Sequence, residues 1–336
     1  MDKKNKRRYG QFNTVANPFR NPPAIKWLAE IEKQNLTVIE PFYGSGNLVK
    51  MLPQLNWAGF YDIDPPKLET SKVIKRDTLK MFPKKTESGS IVSAVITNPP
   101  WFSRRSANSR KMNFDGSGKF DDLYKDALSE CLQSAEWVAA IVPESFIRSK
   151  LFTERLQAVV ILPYDMFGEE TEHAACLALF SPQITGDTEI WIGETFIGRL
   201  SEIQLKAQKI LGRYSQLDFV YGHPDGEIAI FALDRRTGPT LSFASGESIN
   251  SSIVKRSSRC ITRVKLQFKI SGPDLQLLIA MANKVLLELR TVTSDIIFNS
   301  SHGRRHDGYP RRRLDFRTAT KILNRCIYFL DHRSTD

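Results

Sequence analysis

The chain has 336 residues with 41% hydrophobic and 10% aromatic content and a net charge of +11. That length can build two domains with a sizeable core, and the composition is that of an ordinary globular protein. No apolar run reaches ~18 residues and none follows the basic stretch Lys3 to Arg8, so neither a transmembrane helix nor a secretory signal is expected.

Cys131, Cys176, Cys260 and Cys326 lie far apart with no C-x-x-C, so no metal site and no disulfide framework are expected, and a reducing, cytoplasmic setting fits. The charge is unevenly placed. Residues 251 to 336 hold 17 Lys/Arg against 7 Asp/Glu, and residues 1 to 10 hold five against one. Basic ends around a near-neutral body are the electrostatic footprint of a nucleic-acid binder, although a solvated basic surface would read the same.

In chain order, Tyr9 to Thr14 is a turn-rich lead-in. Asn21-Pro22-Pro23 predicts a helix start, with Asn21 as N-cap and Ile25, Trp27, Leu28 and Ile31 at helical spacing. Thr37 to Ile39 predicts a buried strand that runs into Glu40-Pro41-Phe42-Tyr43-Gly44-Ser45-Gly46. Glycines there let a ligand approach the backbone, and the helix that follows starts with free N–H groups. Ala58 to Tyr61 predicts a second strand ending at Asp62-Ile63. An acid about 20 residues past the glycines suits two ribose hydroxyls. Ser71 to Lys75 predicts a third strand, ending at Asp77. Ile91 to Thr97 predicts a fourth, ending at Asn98-Pro99-Pro100-Trp101.

Open α/β sheets bind ligands at the carboxyl ends of their strands. A rigid amide, a fixed carbonyl and an aromatic plate at such an end can hold a planar amine: the acceptors take the N–H protons and the ring stacks. A single acid at a strand end commonly caps a helix. Three acids beside a Gly-x-Gly and an N-P-P-W ask for another account. A nicotinamide enzyme would carry Gly-x-Gly-x-x-Gly, but Val49 stands at the third position.

Residues 9 to 181 resemble an S-adenosylmethionine-dependent adenine-N6 DNA methyltransferase with the motif order of the gamma class. The resemblance implies a Rossmann-like class I methyltransferase fold, a mixed seven-stranded sheet. It places Thr14 and Glu40 by the methionine part of the cofactor, with Gly44 and Gly46 forming the cofactor loop. Asp62 would hold the ribose, Ile63 would lie against the adenine, and Asp77 would read its amino group. Thr78 stands where relatives often carry an aromatic. The tetrad Asn98, Pro99, Pro100 and Trp101 would be catalytic. Asn98 and the Pro99 carbonyl would accept from the amine of a flipped-out adenine, and Trp101 would stack on it.

Residues 102 to 118 lack periodicity and read as a mobile loop whose Arg104 and Arg105 meet phosphates. Asp121 to Leu132 predicts a helix. Glu136 to Val142 and Ala158 to Leu162 predict strands. His173 to Phe180 follows, with Met166-Phe167-Gly168-Glu169-Glu170 before it. Phe180 is the candidate second stacking residue, by resemblance, and His173 is expected to be structural.

Beyond Ser181-Pro182 the resemblance fades. The expected division is a catalytic domain, 1–182, and a basic target-recognition domain, 183–336, of smaller α+β type. In the latter, Glu189 to Phe196 predicts a strand and Leu200 to Leu211 a helix. Glu227 to Leu233, Leu241 to Phe243 and Ile261 to Ile270 predict strands, and a helix runs from Ser271 to about Leu289. Arg304, Arg305, Arg311, Arg312 and Arg313, interleaved with Tyr309 and Phe316, are the candidate DNA contacts. His302 and His306 have a metal-like spacing, but glycine, proline and arginine crowd them.

The expected function is a site-specific methyltransferase acting on double-stranded DNA, paired with a cognate restriction endonuclease or an orphan, in a prokaryotic or phage setting. An RNA adenine or protein-glutamine methyltransferase, and a silent DNA-binding subunit of the same fold, are the alternatives.

Overall fold

The computed structural model describes residues 10, 12–67, 72–162, 164–168, 171, 173–255 and 258–332, together with every side chain among them except those of Tyr164, Asp165 and His302. Residues 1–9, Gln11, Ser71, Glu169, Glu170 and the His302 side chain, all named above, lie outside the described residues. The chain divides into two compact units, Met1–Arg199 and Leu200–Asp336.

Helix α1 (Pro22–Lys33) opens the first unit. The Asn21 side chain accepts from the Ala24 N–H at 3.1 Å, two prolines occupy the first turn, and Trp27, Leu28 and Ile31 face inward. The Trp27 indole N–H donates to the Phe180 carbonyl at 2.8 Å, which pins the helix to the sheet. The sheet is built from β1 (Val38–Glu40), β2 (Trp57–Asp62), β3 (Ile74–Lys75), β4 (Ala94–Thr97), β5 (Trp137–Pro143), β6 (Leu156–Ile161), β7 (Ala175–Phe180), β8 (Glu189–Ile192) and β9 (Thr195–Arg199).

The strand order is β3-β2-β1-β4-β5-β7-β6-β8-β9. Strands β3, β2, β1, β4 and β5 are parallel, and β7 runs antiparallel to both β5 and β6. The first seven strands in that order make a mixed Rossmann-like sheet, the expected one. Its order reverses between β1 and β4, where such sheets open a ligand crevice at their carboxyl edge. Every residue of β4 is buried, because both faces of the sheet are covered, and its Ala-Val-Ile-Thr run suits that.

Two features differ from expectation. The sheet has nine strands rather than seven: Glu189 to Phe196 is a hairpin that turns at Gly193, and β8 pairs parallel with β6. This hairpin carries the first unit on to Arg199 rather than ending it at 182. Residues 102 to 118 are also not featureless. Ser103 caps a short helix, α2 (Arg104–Arg110), by accepting from the Ser106 N–H. Phe102, Ala107 and Leu123 form a small core there with Leu79, Met112 and Phe114. Helix α3 (Leu123–Ser134) then leads into β5.

The second unit is α+β. Helix α4 (Leu200–Leu211) precedes an antiparallel sheet of β10 (Phe219–Tyr221), β11 (Ile228–Phe231), β12 (Ser242–Ser245) and β13 (Ile261–Leu266), in the order β10-β13-β11-β12. Helix α5 (Gly272–Thr293) follows, capped by Ser271. Next come the hairpin β14 (Asn299–Arg304) and β15 (Pro310–Arg313), and then helix α6 (Phe316–Asp331). One apolar core joins α4, the sheet, α5 and α6. No helix among the described residues is long and apolar enough to cross a membrane.

Candidate active site

At the carboxyl edge of the first sheet, Glu40 ends β1, Asp62 ends β2, Asp77 follows β3 and Asn98 follows β4. Parallel strands in register bring these tips side by side. They line one cavity of about 310 Å³ together with Thr14, Gly44, Ile63, Pro100 and others. Such a volume suits a small-molecule site.

The glycine turn between β1 and a short helix (Asn47–Met51) is tied to β2. The Gly44 N–H donates to Asp62 Oδ2 at 2.7 Å, and the Tyr43 N–H to the Tyr61 carbonyl at 2.9 Å. Gly44 and Gly46 both have positive φ. Gly46 does not line the cavity; a Cβ there would fall 2.3 Å from Tyr43 Oη, so glycine lets the Tyr43 ring pack beneath the turn. Asp62 accepts a second N–H, from Asp64, at 2.8 Å. A carboxylate has further lone pairs to offer. Ile63 lines the cavity yet is 53% exposed, an apolar face left for a ligand.

Asn98 is held from behind. Its Nδ2 donates to the Phe12 carbonyl at 2.7 Å and to Thr14 Oγ1 at 3.2 Å. A carbonyl can only accept, so this contact fixes which end of the amide is nitrogen and leaves Oδ1 as the acceptor on the other side. Thr14 is itself buried, and the Asn47 amide donates to its carbonyl at 2.8 Å. The lead-in also grips the tetrad's backbone: the Trp101 N–H donates to the Gly10 carbonyl at 2.9 Å. A Cβ on Gly10 would lie 2.0 Å from the Trp101 oxygen, so the two chains touch directly.

Trp101 is buried and does not line the cavity; its indole N–H donates to the Ile141 carbonyl at 3.2 Å. Phe12 and Phe167 meet it edge-on, with ring centroids 5.5 Å and 5.2 Å away. Pro99 is buried too and does not line the cavity.

Phe180 is not at this site. Because β7 is antiparallel to β5, Phe180 pairs with Val138 near the start of β5, at the opposite edge of the sheet. It is fully buried against Phe146. Phe167 is the aromatic that reaches the tetrad from that part of the chain, and the antiparallel direction of the seventh strand is the signal that points to it. Phe102, Asn113, Asp115 and Leu123 line the cavity without having been singled out; the first three come from the aperiodic stretch after the tetrad and Leu123 from the start of α3.

Glu40 is buried and accepts from Thr97 Oγ1 at 2.6 Å and the Phe42 N–H at 3.0 Å. Burial pushes its pKa up to about 8, and nearby Asp62 adds to this, against the lowering effect of the two hydrogen bonds. Its ordinary value is 4.5, so the folded protein holds this proton through a window in which the unfolded chain has lost it. Stability from this group is therefore fullest below about 4.5 and falls as pH rises towards about 8. Glu40→Gln should remove that dependence. Its melting temperature should gain on the parent protein as pH is raised from 5 to 9, and a constant difference would refute the assignment.

The arginines are placed less simply. Arg104 donates to the Phe120 carbonyl at 3.2 Å and lies over the Phe114 ring, within its own segment; Arg105 is exposed. In the second unit the arginine run wraps a buried acid, Asp234. Arg290 on α5 binds both its oxygens, at 2.9 Å each. Arg305 Nη1 lies 3.6 Å from Asp234 Oδ2, and Arg305 also pairs with Asp307 at 2.8 Å. The Arg312 N–H donates to Asp234, and Arg311 Nε donates to its carbonyl. Arg304 and Arg312 are buried, and Arg304 donates to the Gly308 carbonyl. Arg304, Arg305 and Arg312 are thus structural rather than surface contacts, while Arg311 and Arg313 are half-buried. Among the described residues no cluster of three metal-ligating side chains occurs.

No known protein family matches the chain, and no curated protein matches it. Among solved structures, the chain is similar to the type I restriction-modification methyltransferase subunit of Streptococcus thermophilus, at 16% identity over 70% of this chain and 56% of that one, TM-score 0.35. It is also similar to the type IIG restriction endonuclease BpuSI, at 14% identity over 86% and 34%, TM-score 0.40. A third likeness is to the 23S rRNA methyltransferase ErmE, at 17% identity over 48% and 70%, TM-score 0.29. The chain spans about half the length of the first and a third of the second.

Proposed function

We propose that the chain is an S-adenosylmethionine-dependent methyltransferase acting on the N6 amine of adenine in double-stranded DNA, as part of a restriction-modification system or as an orphan. The observation that carries this reading is Asn98: its amide nitrogen is held by Phe12 and Thr14, and it shares one cavity with Glu40, Asp62 and Asp77.

The donor set fits the cofactor. Glu40 offers a carboxyl to an ammonium group, Asp62 has lone pairs left for two hydroxyls, Ile63 offers an apolar face and Asp77 an acceptor. When bound, S-adenosylmethionine supplies an electrophilic methyl group on sulfur. The chain's own part is to hold the amine. Asn98 Oδ1 and the Pro99 carbonyl accept its two N–H protons, which turns the nitrogen's lone pair out of conjugation and towards the methyl. No covalent enzyme intermediate is required, so the residues contribute positioning and electrostatics. Phe12, which lines the cavity, offers a ring that offsets part of the few kcal/mol that removing a base from the helix costs. Trp101 and Phe167 are buried against Phe12 and hold it rather than stack on the base.

The test is to express the chain in a methylation-free bacterial host and sequence its DNA with base-modification detection. N6-methyladenine at one short motif is expected. Unmodified DNA from cells holding folded, cofactor-binding protein would overturn the choice of substrate.

A further inference from the structure

The arginines bound around Asp234 leave open where the second unit presents its positive charge. That unit contains a groove of about 960 Å³ between the end of α4 and the start of α6. Arg213, Arg317 and Lys321 line it, with Tyr214 and Phe316 as aromatic walls and Asn324 at its base; no acidic residue lines it. All three cations are exposed, and none pairs with an acid among the described residues. In this they contrast with Arg290 and Arg305.

The groove is built by the fold. Arg317, Thr320, Lys321 and Asn324 stand at i, i+3, i+4 and i+7 of α6, so they share one face. The opposite face, with Ala319, Ile322, Leu323 and Cys326, packs in the core. Phe316 is stacked on Tyr221 at 4.3 Å, and the Tyr221 hydroxyl donates to the Phe316 carbonyl, which stiffens that wall. Tyr214 rests on Tyr328, with ring centroids 5.0 Å apart. Asn324 is buried and accepts from the Leu217 N–H at 3.2 Å.

Arg317 stands in the first turn of a 16-residue helix, the end where the helix dipole already repels a cation, and Lys321 stands one turn on, on the same face. An unpaired cation at that end costs stability unless an anion meets it. A run of phosphates does so, and the aromatic walls tolerate sugars and bases beside it.

From this geometry we infer that the groove lined by Arg213, Arg317 and Lys321 takes the phosphate backbone of the nucleic-acid substrate. The inference rests on the function proposed above, since it names the surface by which that substrate is held. It assigns the contact to the groove rather than to Arg304, Arg305 and Arg312.

The test uses the full chain and a labelled 30-base-pair duplex of arbitrary sequence. Binding is followed by anisotropy across a salt series for the parent protein, for R213A/R317A/K321A and for R213K/R317K, with methylation mapped in the same three proteins. Each phosphate contact adds about one to the slope of log affinity against log salt. The triple alanine variant should therefore lose about three from that slope, and the lysine variant, which keeps the charge, should retain it. Because the three side chains are exposed, unaltered melting temperatures are expected and serve as the folding control. An unchanged slope in the triple variant, with DNA methylation intact in the parent, would overturn the groove and leave the function standing. A lost slope with no adenine methylation in any protein would support the groove and sink the function. No duplex binding by the parent would overturn both.

Discussion

Asn98→Ala is expected to lower methyl transfer by about 100- to 1000-fold or more while leaving cofactor affinity within a few-fold of the parent. Losing one preorganised polar group aimed at developing charge has an effect of this size in other enzymes. The geometry explains why the loss should fall on the chemical step. The Asn98 nitrogen is bound to the Phe12 carbonyl and Thr14 Oγ1, which leaves its oxygen as the acceptor of a residue that lines the cavity. The groups offered to the cofactor, Glu40, Asp62, Ile63 and Asp77, sit at other strand ends, and the three acids keep their own polar contacts. Asn98→Asp should be little better, because a carboxylate oxygen would then face the Phe12 carbonyl, two acceptors with no proton between them. The measurements are single-turnover methyl transfer from labelled cofactor and calorimetric cofactor binding. Turnover within ten-fold of the parent would remove Asn98 from the catalytic role.

The strand-tip residues were legible in the sequence for a definite reason. Glu40, Asp62, Asp77 and Asn98 each follow a short β-branched or aromatic run, and parallel strands place all such tips on one edge. The helix opened by Asn21-Pro22-Pro23 was legible because its cap and buried spacing are local. What failed depended on direction or on distant partners. Phe180 is an aromatic at a strand end, but only the antiparallel pairing of β7 with β5 shows which end, and it is the far one. Glu189 to Phe196 has the composition of one strand, and its turn at Gly193 divides it. Helix α6 carries Ala319, Ile322, Leu323, Cys326 and Ile327 at helical spacing, a pattern overshadowed by the arginines just before it.

The arginine run is the most instructive case. A count of charge treats Arg304, Arg305 and Arg312 as alike and available. Arg305 and Arg312 share a partner, Asp234, that lies more than 70 residues earlier, in a turn that the sequence marks only as polar, and Arg304 is buried on the Gly308 carbonyl. Charge density therefore pointed to the second unit and, within it, to side chains that are structural. The groove cations Arg213, Arg317 and Lys321 are dispersed along the chain, and folding is what gathers them.

Asp234→Ala should destabilise the second unit by about 3–5 kcal/mol, the cost of leaving a buried charge without its partner. Asp234 is fully buried and accepts from Thr240 N–H at 2.7 Å, Leu241 N–H at 3.1 Å, Arg312 N–H at 3.1 Å and both ends of the Arg290 guanidinium. Burial alone would raise its pKa, but Arg290 and the backbone N–H groups outweigh it and hold the carboxyl below its usual 3.8. A depressed acid stabilises above its unfolded value and loses that contribution as pH falls below it, so the parent and the alanine variant should converge only under strong acid. In the variant, Arg290 keeps Asp295 at 2.7 Å, and Arg305 keeps Asp307, which caps the loss. All five tryptophans lie between Trp27 and Trp191, in the first unit, so their fluorescence follows that unit alone. Hydrogen exchange should quicken in β11, β12 and α6 while the tryptophan transition keeps its midpoint in urea. Exchange at those elements within the equivalent of 1 kcal/mol of the parent would refute the role given to Asp234. Arg305→Ala should likewise act through stability and leave the salt slope of DNA binding unchanged. The groove variants should do the reverse, and that opposition separates an arginine that builds the domain from one that meets the nucleic acid.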